Sequence, residues 1–409
     1  MPQPDARITR ASAARFARSF WLPPRAHGER IEGREVSFLE LFYDLVYVVV
    51  VSQASHHLAV DVSWSAAGQF AVVFGLVWIA WINGASYHDL HGRSDGRTRT
   101  YVFAQMGLLV VLAVFTTEAP DADGAPFAVA YAAYLALLAW LWWTVRRQDD
   151  ADTRPLTTPY IAGVVGSAIL MGASVPLPAA ARMCVWGALV LGWLVGLAVI
   201  DWRHSATRDT SANVTESMIE RFDLFTIIVL GEVVVGVVSG LAGAGRTTGT
   251  IVTGVLGLGI GFAYWWSYFD FVGARRVRTE RGAVSRWLLG HYPVALSIAA
   301  TGGILAGMIG HAGGAEPDSA ALILSTSVAL GVLSLVLVAS SVQDWTAYPR
   351  VYRKVSAALA LTAAIAVAIG WLRPAPWLQM LALVLLLGLV WLYGILAWSA
   401  TTSTPDGGP

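Results

Sequence analysis

Long apolar stretches alternate with short polar connections from residue 37 to residue 398. A helix needs about 20 predominantly apolar residues to cross a hydrocarbon core about 30 Å thick. On that measure the pattern predicts twelve spanning helices, over 37–60, 64–87, 100–118, 125–145, 158–176, 179–200, 219–241, 249–272, 284–309, 319–341, 355–372 and 376–398. The fifth and eleventh are short and rich in Ala and Gly. Lipid offers the backbone no hydrogen-bond partners, so spanning segments are helices or the strands of a closed barrel. These stretches lack the alternation of strands and are too long for them. The expected class is therefore an all-α polytopic membrane protein.

Composition agrees: 56% of the 409 residues are apolar and only 13% are charged, against about 25% charged in ordinary soluble domains. Net charge is zero, so nothing global suggests nucleic acid. Cys184 has no second cysteine to pair with and reads as a small packed residue. Residues 1–36 hold seven Arg and no apolar core of a cleavable signal, so the first spanning helix is expected to direct insertion. The polar tail 401–409 is expected to be disordered.

The cations test the helix map. Lys and Arg concentrate in cytoplasmic loops. The N-terminal segment and the loops after even-numbered helices hold 22 of them, against three (Arg182, Arg246, Arg373) in the loops after odd-numbered helices. Losing or gaining one helix would scramble that alternation downstream. The expected topology is thus a multi-pass membrane protein with both termini cytoplasmic. Its segments are a cytoplasmic stretch 1–36, a first six-helix half 37–200, a cytoplasmic linker 201–218, a second half 219–400 and the tail.

The halves share a signature. Tyr43-Asp44-Leu45-Val46 aligns with Phe222-Asp223-Leu224-Phe225, an offset of 179 residues, and nine residues after each Asp stands Gln53 or Glu232. Six helices per half give both copies the same direction through the membrane, so two parallel six-helix repeats are expected, an arrangement recurrent among transporters.

Polar groups at membrane depth are the candidate chemistry. At 100° per residue, Glu40, Asp44 and Tyr47 share one face of the first helix. Gln53, His56 and His57 lie on roughly the opposite face, which suggests a helix enclosed by others. Glu40, His56 and His57 can equally be read as interfacial residues. Glu232 stands near the midpoint of its span and Asp44 at least a turn inside its boundary. A charged side chain at the bilayer centre costs about 2.5–3.5 kcal/mol on insertion scales, so it lines a polar site, exchanges protons, or pins helices through hydrogen bonds. Asp223 and Asp270 are further primary candidates, with Asn83, Gln105 and His291 secondary. Arg221 and Arg286 either snorkel or pair with Asp44 or Asp223. No spacing resembles a metal site, and no phosphate loop or nucleophile elbow occurs. No cofactor is expected.

The run from Glu40-Leu-Phe-Tyr-Asp44-Leu-Val-Tyr47 through Gln53 and His57 resembles the bacterial low temperature requirement protein A family. Glu220-Arg-Phe-Asp-Leu-Phe-Thr-Ile-Ile-Val-Leu-Gly-Glu232 looks like its second hallmark. Trp265-Trp266-Ser-Tyr-Phe-Asp270 and His291 are similar to weaker blocks. Family members often carry His near the Arg221–Phe222 position, which this chain lacks. The resemblance implies a multi-pass membrane protein needed for growth in the cold and carries no established substrate or reaction.

The preferred expectation is a transporter of a small solute, ion or lipid-like molecule, with the bilayer, and a solute or proton, as partners. Its site would lie between the halves, lined by Asp44, Gln53, His57, Asp223, Glu232 and Asp270. The alternatives are an intramembrane enzyme using carboxylate and His groups as acid and base, and a non-transporting membrane factor. Oligomeric state is not readable from the chain.

Overall fold

Short polar side chains open many of the helices. The Ser37 hydroxyl accepts from the Glu40 N–H while the Glu40 carboxylate accepts from the Ser37 N–H, a reciprocal cap that satisfies otherwise orphaned donors. Ser63, Asp95 and Thr215 cap the N–H groups of Ala66, Thr98 and Met218. In the computed structural model, which describes residues 20–29, 34–204, 214–245, 247–310 and 319–402, the chain is helical with no strand among those residues. Residues 1–19, the linker 205–213 and the tail 403–409, for which cytoplasmic or disordered character is expected, lie outside the described residues.

The long helices are α1 Phe38–Val60, α2 Trp64–His91, α3 Gly96–Val114, α4 Ala125–Arg146, α5 Arg154–Ala173, α6 Ala179–His204, α7 Glu216–Gly243, α8 Thr248–Phe271, α9 Ala283–Gly310, α10 Ala320–Ala339, α11 Pro349–Leu372 and α12 Pro376–Thr402, with a single turn at Asp344–Ala347. Ten are long and apolar enough to cross a membrane. The other two are α3, whose first turns carry Arg97, Arg99 and Gln105, and α5, whose apolar part is confined to Thr157–Ala173. Boundaries shift where capping outweighs hydropathy. α3 starts at its Asp95 cap and ends before the turns at 115–120, while α2 runs on to His91 and so takes His88 and Asp89 into the helix.

Contacts among the described loops group them at two ends. At the Arg-rich end the Arg25 N–H bonds the His91 carbonyl after α2, His27 bonds Asp149 after α4, and the connections after α8 and α10 pair at Val277 and Val342. At the other end Arg182 donates to the Asp121 carbonyl, and the Ser319 hydroxyl to the Val62 carbonyl.

Within the first half α1 packs on α2 and α3, α3 on α4, α4 on α5, and α2 on α6; within the second α7 packs on α8 and α9, α9 on α10, α10 on α11, and α8 on α12. The halves meet chiefly where α9 lies against α1 and α1 against α7. α9 is the most enclosed candidate span, 83% buried against 28% for α12. Glycine allows this. A Cβ added at Gly302 would stand 2.5 Å from the Glu232 carbonyl of α7, and one at Gly303 would stand 2.7 Å from the Ser55 carbonyl of α1. Small residues at such crossings let backbones touch, the main route to helix association in lipid.

α1 is not enclosed all round, contrary to expectation. Phe42, Leu45 and Val49 are exposed on the same side as Gln53, His56 and His57. That side is apolar over its middle turns and polar only in its last turns, where partners from neighbouring elements are within reach.

Candidate functional site

The buried polar groups fall into separate clusters, and α7 contributes to three of them. The first joins α1, α2 and α7 near the Arg-rich end. Asp44 on α1 and Arg221 on α7 are both wholly buried, and Arg221 donates to Asp44 Oδ1 at 2.7 Å. Trp81 Nε1 donates to the same oxygen at 2.9 Å, so both Asp44 contacts are fixed donors. Arg221 also stands 3.6 Å from the Glu40 carboxylate. Arg34, in the segment before α1, donates to Asp89 at 2.6 Å and also to Glu40. Asp89 accepts from the Ser217 hydroxyl at 2.5 Å and the Thr215 hydroxyl at 2.7 Å. Two guanidinium groups and three carboxylates thus bind the first half to the start of the second. Beneath them the Tyr43, Tyr47 and Tyr134 hydroxyls form a triangle with sides of 2.7–3.1 Å, closed by a bond from Tyr134 to the Ala80 carbonyl.

The second cluster joins α7, α8 and α9. Asp223 Oδ1 lies 2.9 Å from the Tyr268 hydroxyl, and its Oδ2 accepts from the Ala274 N–H at 2.8 Å. The Tyr268 hydroxyl also lies 2.9 Å from His291 Nε2. His291 is buried, with Trp287 and Phe222 rings against its faces.

Glu232 forms the third. It is 3% exposed and sits where α7 meets α9 at Gly302 and Gly236. The Ser52 side chain of α1 stands beside its carboxyl, yet Oε1 has no hydrogen-bond partner among the described residues. A buried carboxyl oxygen left without a donor is costly, so this position calls for a proton or for a donor or cation from outside the protein.

The remaining candidates are dispersed. Gln53 accepts from the Thr117 hydroxyl at 2.8 Å and His57 bonds Gln69 at 3.1 Å, both toward the opposite end. Asp270 accepts from Trp391 Nε1 at 2.7 Å. Asn83 accepts from Tyr160, and Gln105 lies 2.7 Å from His88 Nε2. The primary candidates therefore share no hydrogen bond with one another among the described residues, and none of Asp44, Gln53, His57, Asp223 or Asp270 bonds Glu232 there. Among those residues no group of three or more His, Cys, Asp or Glu has the geometry of a metal site. An apolar groove of about 450 Å³ between α3 and α4, lined by Leu108, Val111, Phe115, Pro126 and Val129, has no polar side chain to orient a ligand.

Sequence reading passed over Arg34, Trp81, His88, Asp89, Ser217 and Tyr134, and gave the Tyr43 and Tyr47 hydroxyls no partners. Tyr and Trp register as apolar in a hydropathy scan, and only their clustering on helices that also carry carboxylates could have marked them.

Long apolar helices enclosing carboxylates, guanidinium groups and imidazoles define a polytopic α-helical membrane protein with a polar interior. The chain belongs to the bacterial low temperature requirement A protein family (LtrA), whose pattern it matches over residues 35–391. It is also similar to an uncharacterized protein, RA0937, of Rhizobium meliloti (strain 1021), at 26% identity over 245 residues. That match covers 59% of this chain and 60% of the relative's length. No solved structure matches the chain.

Proposed function

We propose that the chain is a transporter of a small solute or ion in the bacterial inner membrane, with Glu232 as the group that binds the solute or its coupling proton. In this reading α3 and α5 also span, giving twelve crossings in two parallel six-helix repeats with both termini cytoplasmic. The observation that carries it is the free Oε1 of Glu232, buried mid-helix where α1, α7 and α9 converge at the junction of the halves. Asp44 also has one buried oxygen without a partner, but its other oxygen holds a guanidinium and an indole N–H, whereas no cation pairs with Glu232 among the described residues. The repeat reading draws support from neighbour relations, since α1–α2, α1–α3, α3–α4, α4–α5 and α2–α6 each have a counterpart six helices later. Lipid-like solutes remain within this class.

The test uses the full chain in vesicles loaded with a pH-sensitive dye, challenged in turn with monovalent cations, divalent cations, amino acids and simple carboxylates. The expected result is that one class moves the internal pH in wild-type vesicles, and that Glu232→Gln abolishes the response while folding and insertion are kept. Equal responses from the two proteins, or loss of folding in the variant, would assign Glu232 to helix packing.

A further inference from the structure

The cluster of Asp223, Tyr268 and His291 poses a counting problem in protons. His291 Nδ1 lies 2.7 Å from the Trp287 carbonyl. A carbonyl only accepts, so Nδ1 carries a hydrogen. That leaves Nε2, 2.9 Å from the Tyr268 oxygen, which in turn lies 2.9 Å from Asp223 Oδ1. The tyrosine has one hydroxyl hydrogen for two contacts. If it is donated to Asp223, then Nε2 must carry a hydrogen to bond the tyrosine oxygen, and the ring is an imidazolium. If it is donated to a neutral Nε2, Asp223 must be protonated to bond the tyrosine oxygen. Either way the trio holds one proton more than an ionised carboxylate, a tyrosine hydroxyl and a neutral imidazole. With fewer, two lone pairs would face each other at hydrogen-bonding distance inside the bundle, which costs free energy.

We propose that Asp223, Tyr268 and His291 form a proton-binding relay that stores one shared proton and passes it between the Arg-rich face and the interior of the second half. The transfer is balanced. The Nε2–H bond of His291 breaks as its proton moves to the tyrosine oxygen, and the tyrosine O–H bond breaks as that proton moves to Asp223 Oδ1. The ion pair becomes a neutral acid and a neutral imidazole; reversal restores it. Asp223 is the outer terminus, half-buried and held by the Ala274 N–H in the loop after α8. His291 is the inner terminus, enclosed by aromatic rings.

The surrounding charges leave the shared proton free to move. Glu220, one turn earlier on α7, is the charged group facing Asp223. Arg221 turns away to Asp44, Arg286 of α9 pairs with Glu280, and Arg275 after α8 pairs with Asp344. Among the described residues no cation therefore fixes Asp223 in the charged form, in contrast to Asp44. This relay does not depend on the transport reading, since it concerns proton storage alone and is read without any solute.

The experiment is nuclear magnetic resonance on the full chain in lipid nanodiscs, following the His291 ring nitrogens and the Asp223 carboxyl carbon across pH. Groups that share a proton titrate as one system, so both signals should respond at every protonation step of wild type. Signals that each report a single step of their own would overturn the relay. Asp223→Asn should hold His291 Nε2 at the neutral-imidazole position near pH 7. Placing Asp223→Asn in a Tyr268→Phe background separates the relay from simple charge proximity. Removing the bridging hydroxyl should abolish the response of His291 to the Asp223 substitution, and an undiminished response would refute the relay. The wild-type titration alone decides the matter if Tyr268→Phe does not fold.

Discussion

Replacing Arg221 by Met tests the interlock between the halves most directly. In the native protein Arg221 and Asp44 are wholly buried and 2.7 Å apart. Two unit charges about 4 Å apart interact by about 4 kcal/mol at an effective dielectric of about 20. Taking both out of water costs several kcal/mol each, which the native pair offsets through that attraction and the donors around it. Removing only Arg221 leaves Asp44 buried with Trp81 as its one hydrogen-bond donor, and leaves Glu40 with Arg34 and the Ser37 cap. The expected loss is therefore about 3–5 kcal/mol, the range for breaking one side of a buried pair.

The companion variant Arg221→Met with Asp44→Leu should recover most of that loss, because apolar residues of similar size leave no uncompensated charge. Arg221→Lys should fall between, since one ammonium cannot reach both Asp44 and Glu40 with the fork of a guanidinium. The assay is reversible unfolding of the purified protein in mixed micelles by increasing mole fraction of a denaturing detergent, read by helicity and tryptophan emission. A single variant within about 1 kcal/mol of wild type would refute the reasoning, because buried orphan charges are not that cheap. So would a double variant no more stable than the Arg221 single variant.

Two further predictions concern the Arg-rich end. Burial pushes the Asp95 carboxyl up, but bonds from the Thr98 and Leu22 N–H groups more than offset this and hold it below the usual carboxylate range. The stability it confers is thus present above about pH 4, the unfolded value, and is lost as pH falls through the folded value. Asp95→Ala should cost about 1 kcal/mol near neutral pH, as for other N-caps, with the gap from wild type closing in acid; a gap constant down to about pH 3 would exclude the linkage. For orientation, a fluorescent reporter that matures only in the cytoplasm should light up when fused after Pro409, and activity of a periplasm-only reporter there would remove or add a crossing.

How much was readable in advance follows from what a helical sequence encodes. Azimuth and depth come directly from it, so the buried face with Glu40, Asp44 and Tyr47, and the burial of Glu232, were legible. The identity of a neighbour is not encoded, because any of several helices can present a partner at the same depth. Arg221 therefore had two possible carboxylates, and only packing shows that it turns to Asp44 and leaves Asp223 to Tyr268. Helix ends were misplaced where polar residues continue a helix past its apolar stretch. His88 and Asp89 were lost to a supposed loop for that reason, and with them the anchor for Arg34, Thr215 and Ser217. The enclosure expected for α1 failed because polarity near a helix end does not require burial of the middle turns.

The two hallmark aspartates occupy matching places in the motif but have chemically opposite surroundings. Asp44 receives an indole N–H and a guanidinium, neither of which can take a proton from it. It suits a joint that holds α1 against α7. Asp223 receives a backbone N–H and a hydroxyl, and that hydroxyl is shared with an imidazole. Each member of that chain can give up or accept a proton with little movement of heavy atoms. Under the parallel-repeat reading, one half has fixed its aspartate as a structural charge while the other has kept it exchangeable. α7 then carries, in order from the Arg-rich end, the fixed joint at Arg221, the exchangeable carboxyl at Asp223 and the open carboxyl at Glu232. A proton held near the first turns and an acceptor left free near the middle lie on one helix, whose glycine contacts with α9 admit no added side chain without displacement. Any change of protonation along α7 must therefore be accommodated by the contacts of α9 with both halves.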